Sequence, residues 1–442
     1  MAKAAILELP GQGLRIAEVT YADPGPHEVL IDTKACGLCH SDLHFIDGHY
    51  PHALPCIPGH EAAGIVRAVG SEVRTVKPGD HVVSCLSAFC GHCEFCVTGR
   101  MALCMGADTR RMKGDASRIA FTDGAPVNQM LNLSALSEQM LIHEHACVSI
   151  DKDMPFDRAA LLGCAVTTGA GTIFNACKVT PGETVLVVGC GGVGLAAINA
   201  AKIAGAAKII AADPLPEKRA LAQVLGATHT VDALDPDAAK QIIAISNGGV
   251  DWGIEAVGRQ ASADLAVASL RRGGTAVILG MMPLDCKVGL SAMDLLSGKK
   301  LQGAIMGNNR FPVDLPRLVD FYMRGLLDLD AEPLVEYLEG IPDDIASMLG
   351  SRMLVGSETS AGKKLDDERI KELVGGEAQR ARHLFGKWFD FLPTGKIHLA
   401  TNHLPVMESG GHGMGRRLRV IPWSVTIPDE EQDKSLKSKI IA

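Results

Sequence analysis

The run ETVLVVGCGGVGLAAINAAKIAGAAKIIAADP, residues 183–214, constrains the fold more than any other part of the chain. An apolar stretch leads into Gly189, Gly191 and Gly194. An Ala-rich stretch follows, and then a second apolar run closed by Asp213. That order reads as strand, tight turn, helix, strand: a βαβ unit with its two strands parallel. The G-x-G-x-x-G pattern is informative here because it leaves a strand and opens a helix. Its glycines permit the turn and let the backbone, through Gly192 and Val193, approach a pyrophosphate at the helix N-terminus. A carboxylate at Asp213 is placed to bind ribose hydroxyls and to oppose a 2′-phosphate, which favours NAD over NADP. The competing reading of Asp213 is a plain helix cap before PLPEKRA.

Strand–helix alternation continues through ATHTVDA, DPDAAKQIIAISN, VDWGIEAVG, QASADLAVASLRRG and GTAVILG. This predicts a doubly wound parallel sheet. The first 150 residues differ. HEVLIDTKACG, AAGIVRAVGSEV and GDHVVSCLS are short strands broken by Gly, Pro and Asp, as in a β-rich, barrel-like domain. PVDLPRLVDFYMRGLLD predicts an amphipathic helix to about residue 328. The chain has 442 residues, 47% of them hydrophobic and 21% charged, so it can bury two or three cores. A net charge of −8 argues against a whole-chain nucleic-acid binder. The N-terminal residues lack the basic-then-apolar pattern of a secretion signal, and no apolar run is long enough to span a bilayer. The expected location is the cytoplasm.

All 13 cysteines lie between Cys36 and Cys286. CGHCEFCVTGRMALC gathers Cys90, Cys93, Cys96 and Cys104 in one short stretch. Four thiolates give zinc a closed tetrahedral shell, which means structure rather than catalysis. An iron–sulfur cluster also takes four cysteines, but the spacing is not a ferredoxin pattern. Elsewhere, CGLCHSDLH holds Cys36, Cys39, His40, Ser41, Asp42 and His44; PGHEAAG holds His60 and Glu61; LLGCAVTTGAG holds Cys164. Taken singly, each is a weak signal.

Together, in this order and ahead of the glycine motif, these segments resemble the zinc-containing medium-chain alcohol dehydrogenases. The resemblance runs from residue 1 to about 331. It implies a GroES-like catalytic domain over 1–160, with 300–335 returning to it, and an NAD-binding domain over 161–299. It implies Cys39, His60 and Cys164 as catalytic zinc ligands with one open position, the two-thiolate, one-imidazole set of the family's catalytic zinc. Asp42 and Glu61 match carboxylates beside that metal, and Glu61 is counted with the metal-site residues. A carboxylate behind a ligating histidine fixes its orientation. Cys36 is left as a packing residue. Ser41 matches the hydroxyl that receives the substrate proton, and His44 the histidine that passes it outward; the plainer reading of His44 is an exposed polar residue. His40 matches a residue facing the cofactor phosphates, Thr168 one beside the nicotinamide and Lys218 one near the adenosine ribose. Leu86 matches a substrate-pocket position where a larger aromatic is common. The implied reaction is hydride transfer between an alcohol and NAD, with two zinc ions per chain, in a dimer or tetramer.

After GLLDLDA the family ending, which completes the catalytic sheet, is not found. Residues from about 340 to 442 instead resemble the C-terminal part of the ATPase domain of phage and plasmid primase-helicases, through RMLVGSE, KIHLATNHLP and GMGRRLRVIPW. This implies an α/β tail fragment in which Glu358 belongs to an acidic nucleotide motif, Asn402 is a sensor, and Arg416 and Arg417 lie in an arginine-finger region. G-x-x-x-x-G-K-[ST] occurs nowhere, so the phosphate cradle is missing and ATP hydrolysis is not expected. Nucleic-acid contact through Arg416, Arg417 and Arg419 is disfavoured for want of a net positive field. The competing readings are an impaired dehydrogenase fusion and a nucleic-acid-associated protein defined by its tail.

Overall fold

The computed structural model describes residues 1–111 and 114–329. Beyond these it describes only the strands Met353–Ser357, Lys364–Leu365, Gln379–Ala381, Phe389–Phe391, Lys396–Ala400 and Val406–Met407. The chain divides into two units, Met1–Leu334 and Val335–Ala442.

In the first unit the N-terminal half builds two five-stranded sheets. One runs Ala2–Ile6, Arg15–Tyr21, Ile119–Phe121, Pro126–Gln129, Cys56–Ile57, and only its last pairing is parallel. The other is antiparallel throughout and runs Cys147–Ser149, His81–Ser84, Glu61–Val69, Glu28–Gly37, Gln139–His143. The strands alternate because each sheet buries one face. Val29 and Ile31 point into a core with Ala62, Val66, Val82 and Met140. Gly64 lies where a Cβ would sit 2.3 Å from the Asp32 carbonyl, so the ladder between Glu28–Gly37 and Glu61–Val69 closes only on glycine.

The six-stranded sheet that follows is wholly parallel. Its order is His229–Val231, Lys208–Ala212, Thr184–Val188, Val250–Glu255, Leu270–Ile278, Lys300–Gly303. In chain order that is 3-2-1-4-5-6, the doubly wound pattern that binds dinucleotides where the order reverses. Thr184–Val188 is buried at every residue, as a central parallel strand should be. This architecture, a GroES-like domain and a Rossmann sheet, is the one expected. Two local expectations are corrected. The strand Leu270–Ile278 starts inside the LRRG segment, where Leu270 pairs with Val250 across a register shift. Among the described residues the last helix is Phe311–Met323, which stops short of residue 328. It buries Phe311, Leu315, Leu318 and Val319 in the cluster that also holds Met154, Ala159 and Leu162.

In the second unit the apolar runs RMLVG and KIHLA find each other: Met353–Ser357 pairs in parallel with Lys396–Ala400. Glu358, Asn402, Arg416, Arg417 and Arg419 lie outside the described residues, as do the tryptophans Trp388 and Trp423 and the junction from 330 to 352. Among the described residues no helix is long and apolar enough to cross a membrane.

Candidate active site and metal centres

Cys39 caps the N-terminus of the helix His40–Ile46, and Asp42 completes the cap. The Ser41 N–H points at Cys39 Sγ at 3.5 Å, and the Cys39 N–H donates to Asp42 Oδ2 at 3.1 Å. The other Asp42 oxygen accepts from His60 Nδ1 at 2.8 Å. One carboxylate therefore holds a thiol-bearing residue and an imidazole in fixed relation, which is the physical content of the CHSD segment. With Nδ1 donating to Asp42, Nε2 is the His60 nitrogen left for a metal, which binds it in the neutral form. His60 is fully buried, and that nitrogen meets no well-aligned hydrogen-bond partner beside the Cys39 thiol. An unsatisfied buried polar atom costs about 1–3 kcal/mol, so this one calls for an occupant. Cys39 Sγ, Cys164 Sγ, a Glu61 carboxylate oxygen and a His60 nitrogen lie within 4.8 Å of one another. Two thiols, an imidazole and a carboxylate suit zinc. The Cys39 thiol is held well below its usual range, first by its bond with Cys164 and then by His60. Cys164 moves up through the same bond and its burial. Burial alone would depress His60, but Asp42 and Cys39 outweigh it and lift the imidazole to about 11. Burial raises Glu61 far above the carboxylate range, and a Cβ on Gly37 would stand 2.5 Å from its Oε2. Such groups await a cation. Cys36 is not among these donors; its thiol donates to the Gly37 carbonyl at 3.3 Å, as a packing residue's would.

Cys90, Cys93, Cys96 and Cys104 form a second group within 4.8 Å. Cys90 and Cys96 stand 3.9 Å apart, as do Cys93 and Cys104. That is close to the edge of a tetrahedron with bonds of about 2.3 Å to zinc. The backbone N–H groups of Cys90 and Gly106 aim at Cys104 Sγ at 3.2 and 3.3 Å, and that of Cys93 at Cys90 Sγ at 3.3 Å. Donors to sulfur favour thiolates, and no cysteine is in a disulfide. His92 and Asp108 gather with Cys90 in a further group that shares a thiol with this one.

The glycine turn divides its work as the motif requires. Gly189 sits at φ 97°. Gly194 packs so closely that a Cβ would meet the Gly189 carbonyl at 1.8 Å, while a Cβ on Gly191 would meet open space. The helix Gly192–Ile203 opens at Gly191 with no side-chain cap, which leaves its N–H groups for an anion. Val193 and Gly192 are half-buried at that opening. Asp213 is buried, and its carboxylate accepts from the Cys190 N–H at 2.8 Å and the Leu215 N–H at 3.0 Å. It does not cap Pro216–Leu225, whose cap residue is Leu215. Thr168 lies in the helix Ala165–Gly171, which Cys164 caps, and its hydroxyl points at Met306 Sδ at 3.6 Å. His40 is exposed at the first turn of its helix. Lys218 lies on the first turns of Pro216–Leu225. Leu86 is half-buried against both main cores.

The sequence matches the family model for the alcohol dehydrogenase GroES-like domain over residues 25–152 and that for zinc-binding dehydrogenases over 192–322. It is 35% identical over 342 residues to the S-(hydroxymethyl)glutathione dehydrogenase of Escherichia coli O1:K1 / APEC, covering 76% of this chain and 92% of that one. The chain belongs to the zinc-containing alcohol dehydrogenase family. The dehydrogenase superposes on an alcohol dehydrogenase zinc-binding domain protein from Burkholderia ambifaria with a TM-score of 0.73 and 32% identity, over 78% of this chain and 96% of that one. Benzyl alcohol dehydrogenase from Acinetobacter calcoaceticus gives 0.70 and 32%, over 77% and 97%. Solved neighbours of the same kind carry NAD or NADP. It is thus a zinc-dependent oxidoreductase that interconverts alcohols with aldehydes or ketones, of a family with solved members that carry NAD or NADP.

Two residues that tie the loops of this dehydrogenase together were not singled out in the sequence. Glu255 ends its strand fully buried. Its carboxylate accepts from Val257 and Gly258 N–H, from the Gly280 N–H and from the Ser262 hydroxyl, tying together two loops at the cofactor side of the sheet. A carboxylate at a strand's C-terminal end, three residues before Gly258, could have flagged it. Tyr50, whose hydroxyl donates to the Met282 carbonyl at 2.5 Å, joins segments too distant in sequence to be paired by inspection.

Proposed function

We propose that Cys39, His60 and Cys164 hold the catalytic zinc, with Glu61 beside it, and that Cys90, Cys93, Cys96 and Cys104 hold a structural one. The observation that carries this is the buried, unpartnered Nε2 of His60, fixed by Asp42 and facing the two thiols. When bound, zinc polarises the substrate oxygen and NAD accepts the hydride. The chain's own residues do the rest. Asp42 fixes the His60 tautomer, Ser41 takes the hydroxyl proton and His44 passes it outward. Thr168 and His40 flank the nicotinamide and the phosphates; Gly189, Gly191, Gly192, Val193 and Gly194 cradle the pyrophosphate; Asp213 and Lys218 hold the adenosine ribose. Zinc analysis of Asp42→Ala tests the carrying observation. Loss of this support should weaken catalytic zinc binding by about 10–100-fold, and unchanged zinc retention would count against it.

Asp213 sets a preference for NAD over NADP. Asp213→Gly should raise KM for NAD and cut the NAD/NADP ratio of kcat/KM by about tenfold, or about 1.4 kcal/mol of discrimination. It should also cost about 1–3 kcal/mol of stability, since two N–H groups lose their acceptor. Equal use of both cofactors by the wild type would remove Asp213 from this role. The substrates are small alcohols, with room at Leu86 for a branched or aromatic group, in keeping with the benzyl alcohol dehydrogenase among the structural relatives. The strand Lys300–Gly303 is an edge of its sheet, and Met293, Leu295 and Leu296 on the helix that precedes it in the chain are exposed, features that favour a homo-oligomer. The enzyme is placed in the cytoplasm.

The domain limits are 1–160 with 304–335 for catalysis and 161–303 for NAD, since the strand Lys300–Gly303, expected with the catalytic domain, is the sixth strand of the parallel sheet, and residues 340–442 form a passenger fragment of primase-helicase origin without ATPase activity. The division of the chain at Leu334 supports this reading. Limited proteolysis should cut between 331 and 350, and deleting 340–442 should leave zinc and NAD binding intact. Loss of both on deletion would make the tail part of the catalytic domain.

A further inference from the structure

Two imidazoles meet just past the helix that carries Ser41. The helix His40–Ile46 ends at Asp47, and Gly48 takes a φ of 79°. The chain then folds back, and the His49 backbone N–H donates to the His44 carbonyl at 2.9 Å. The turn brings the Nδ1 atoms of His44 and His49 to 3.4 Å. Their ring centroids are 5.6 Å apart and their planes inclined by 58°. A centroid distance near the N···N distance plus both ring radii means the nitrogens face each other head on. That is the arrangement of an N–H···N bond, not of two lone pairs converging on an ion. His44 is half-buried and His49 exposed, so the pair leads from the interior to water. The Tyr50 ring packs on His44 at 5.9 Å, its hydroxyl committed to Met282.

We propose that His49 is the outer station of the proton path, a second imidazole between His44 and solvent. This rests on the reading of Ser41 and His44 as that path. His44 takes a proton on Nε2 and releases the one on Nδ1 to Nδ1 of His49. His49 releases the proton on its own Nε2 to water. One proton enters and one leaves, and no electrons move. Each ring ends in its other tautomer and is reset by exchange through exposed His49. Burial holds His44 below the usual imidazole range, with His49 and His40 acting in the same direction and Asp47 and Cys39 opposing them. With the phenol of Tyr50, whose ring packs on His44, these are the titratable groups set against it. A neutral His44 is ready to accept at pH 7.

His49→Gln changes an exposed position, so zinc content and melting temperature should match the wild type. In weakly buffered solution at pH 7 its kcat for alcohol oxidation should fall roughly fivefold, less than the roughly 10²–10⁴-fold of directly acting groups, because water replaces an outer station in part. Free imidazole should restore the rate, and His49→Gln added to His44→Gln should cause no further loss. An unchanged rate and pH profile in His49→Gln, beside a depressed His44→Gln, overturns the outer station alone. Unchanged rates in both overturn it together with the path it extends.

Discussion

Cys39→Ser should abolish turnover and leave a folded protein. Serine is a better helix cap than cysteine, so the helix His40–Ile46 keeps its start and the Asp42 link to His60 survives. What is lost is one of two thiolates at an open zinc site. A hydroxyl is not deprotonated there as a thiol is, and the remaining donors hold the ion poorly. A metal Lewis acid supplies several kcal/mol of charge stabilisation, and each 1.4 kcal/mol or so is tenfold in rate, so kcat/KM should fall by about four orders of magnitude. Zinc content should drop from two ions per chain to one, with circular dichroism unchanged. A Cys39→Ser protein with more than about a tenth of wild-type kcat/KM would remove Cys39 from the ligand set.

Cys93→Ser should act in the opposite way, on stability first. The segment around Cys90–Cys104 buries little besides its own sulfurs and the half-buried Phe89. Its shape depends on a common ion and on N–H groups donating to sulfur. Structural zinc sites contribute on the order of 10–16 kcal/mol of apparent binding energy in small peptides. Removing one of four ligands should therefore cost several kcal/mol, on the order of 3–5, and lower the melting temperature by about 10 °C. Thermal unfolding followed with and without added zinc measures this. A melting curve identical to the wild type would mean that the lobe needs no metal.

The sequence was most legible where function is local. The glycines at 189, 191 and 194 and the four cysteines from 90 to 104 state their geometry in their spacing, because turns and small metal lobes are closed by near neighbours. The parallel sheet was legible too, since residues 185–188 are apolar at every position, as suits a strand covered on both faces. The catalytic donors were harder. Cys39, His60 and Cys164 meet only through the fold, and their order beside a glycine motif, rather than any one spacing, connected them. Contacts between distant segments stayed hidden. Nothing near Tyr50 announces the Met282 carbonyl, and nothing near Asn309 announces Ser87, whose hydroxyl it reaches at 3.1 Å. The end of the Phe311–Met323 helix was misplaced because Arg324–Leu327 still carries apolar residues; Gly325, at φ 67°, turns the chain instead.

The central claim is an open and a closed zinc site serving NAD-dependent alcohol oxidation. Zinc content measured on the purified full-length chain, in the same preparation that is assayed for NADH formation with a panel of primary alcohols, tests it most directly. The account predicts two zinc ions per chain and NADH formation that is lost with the more readily chelated ion. Active protein holding one zinc or none would contradict it.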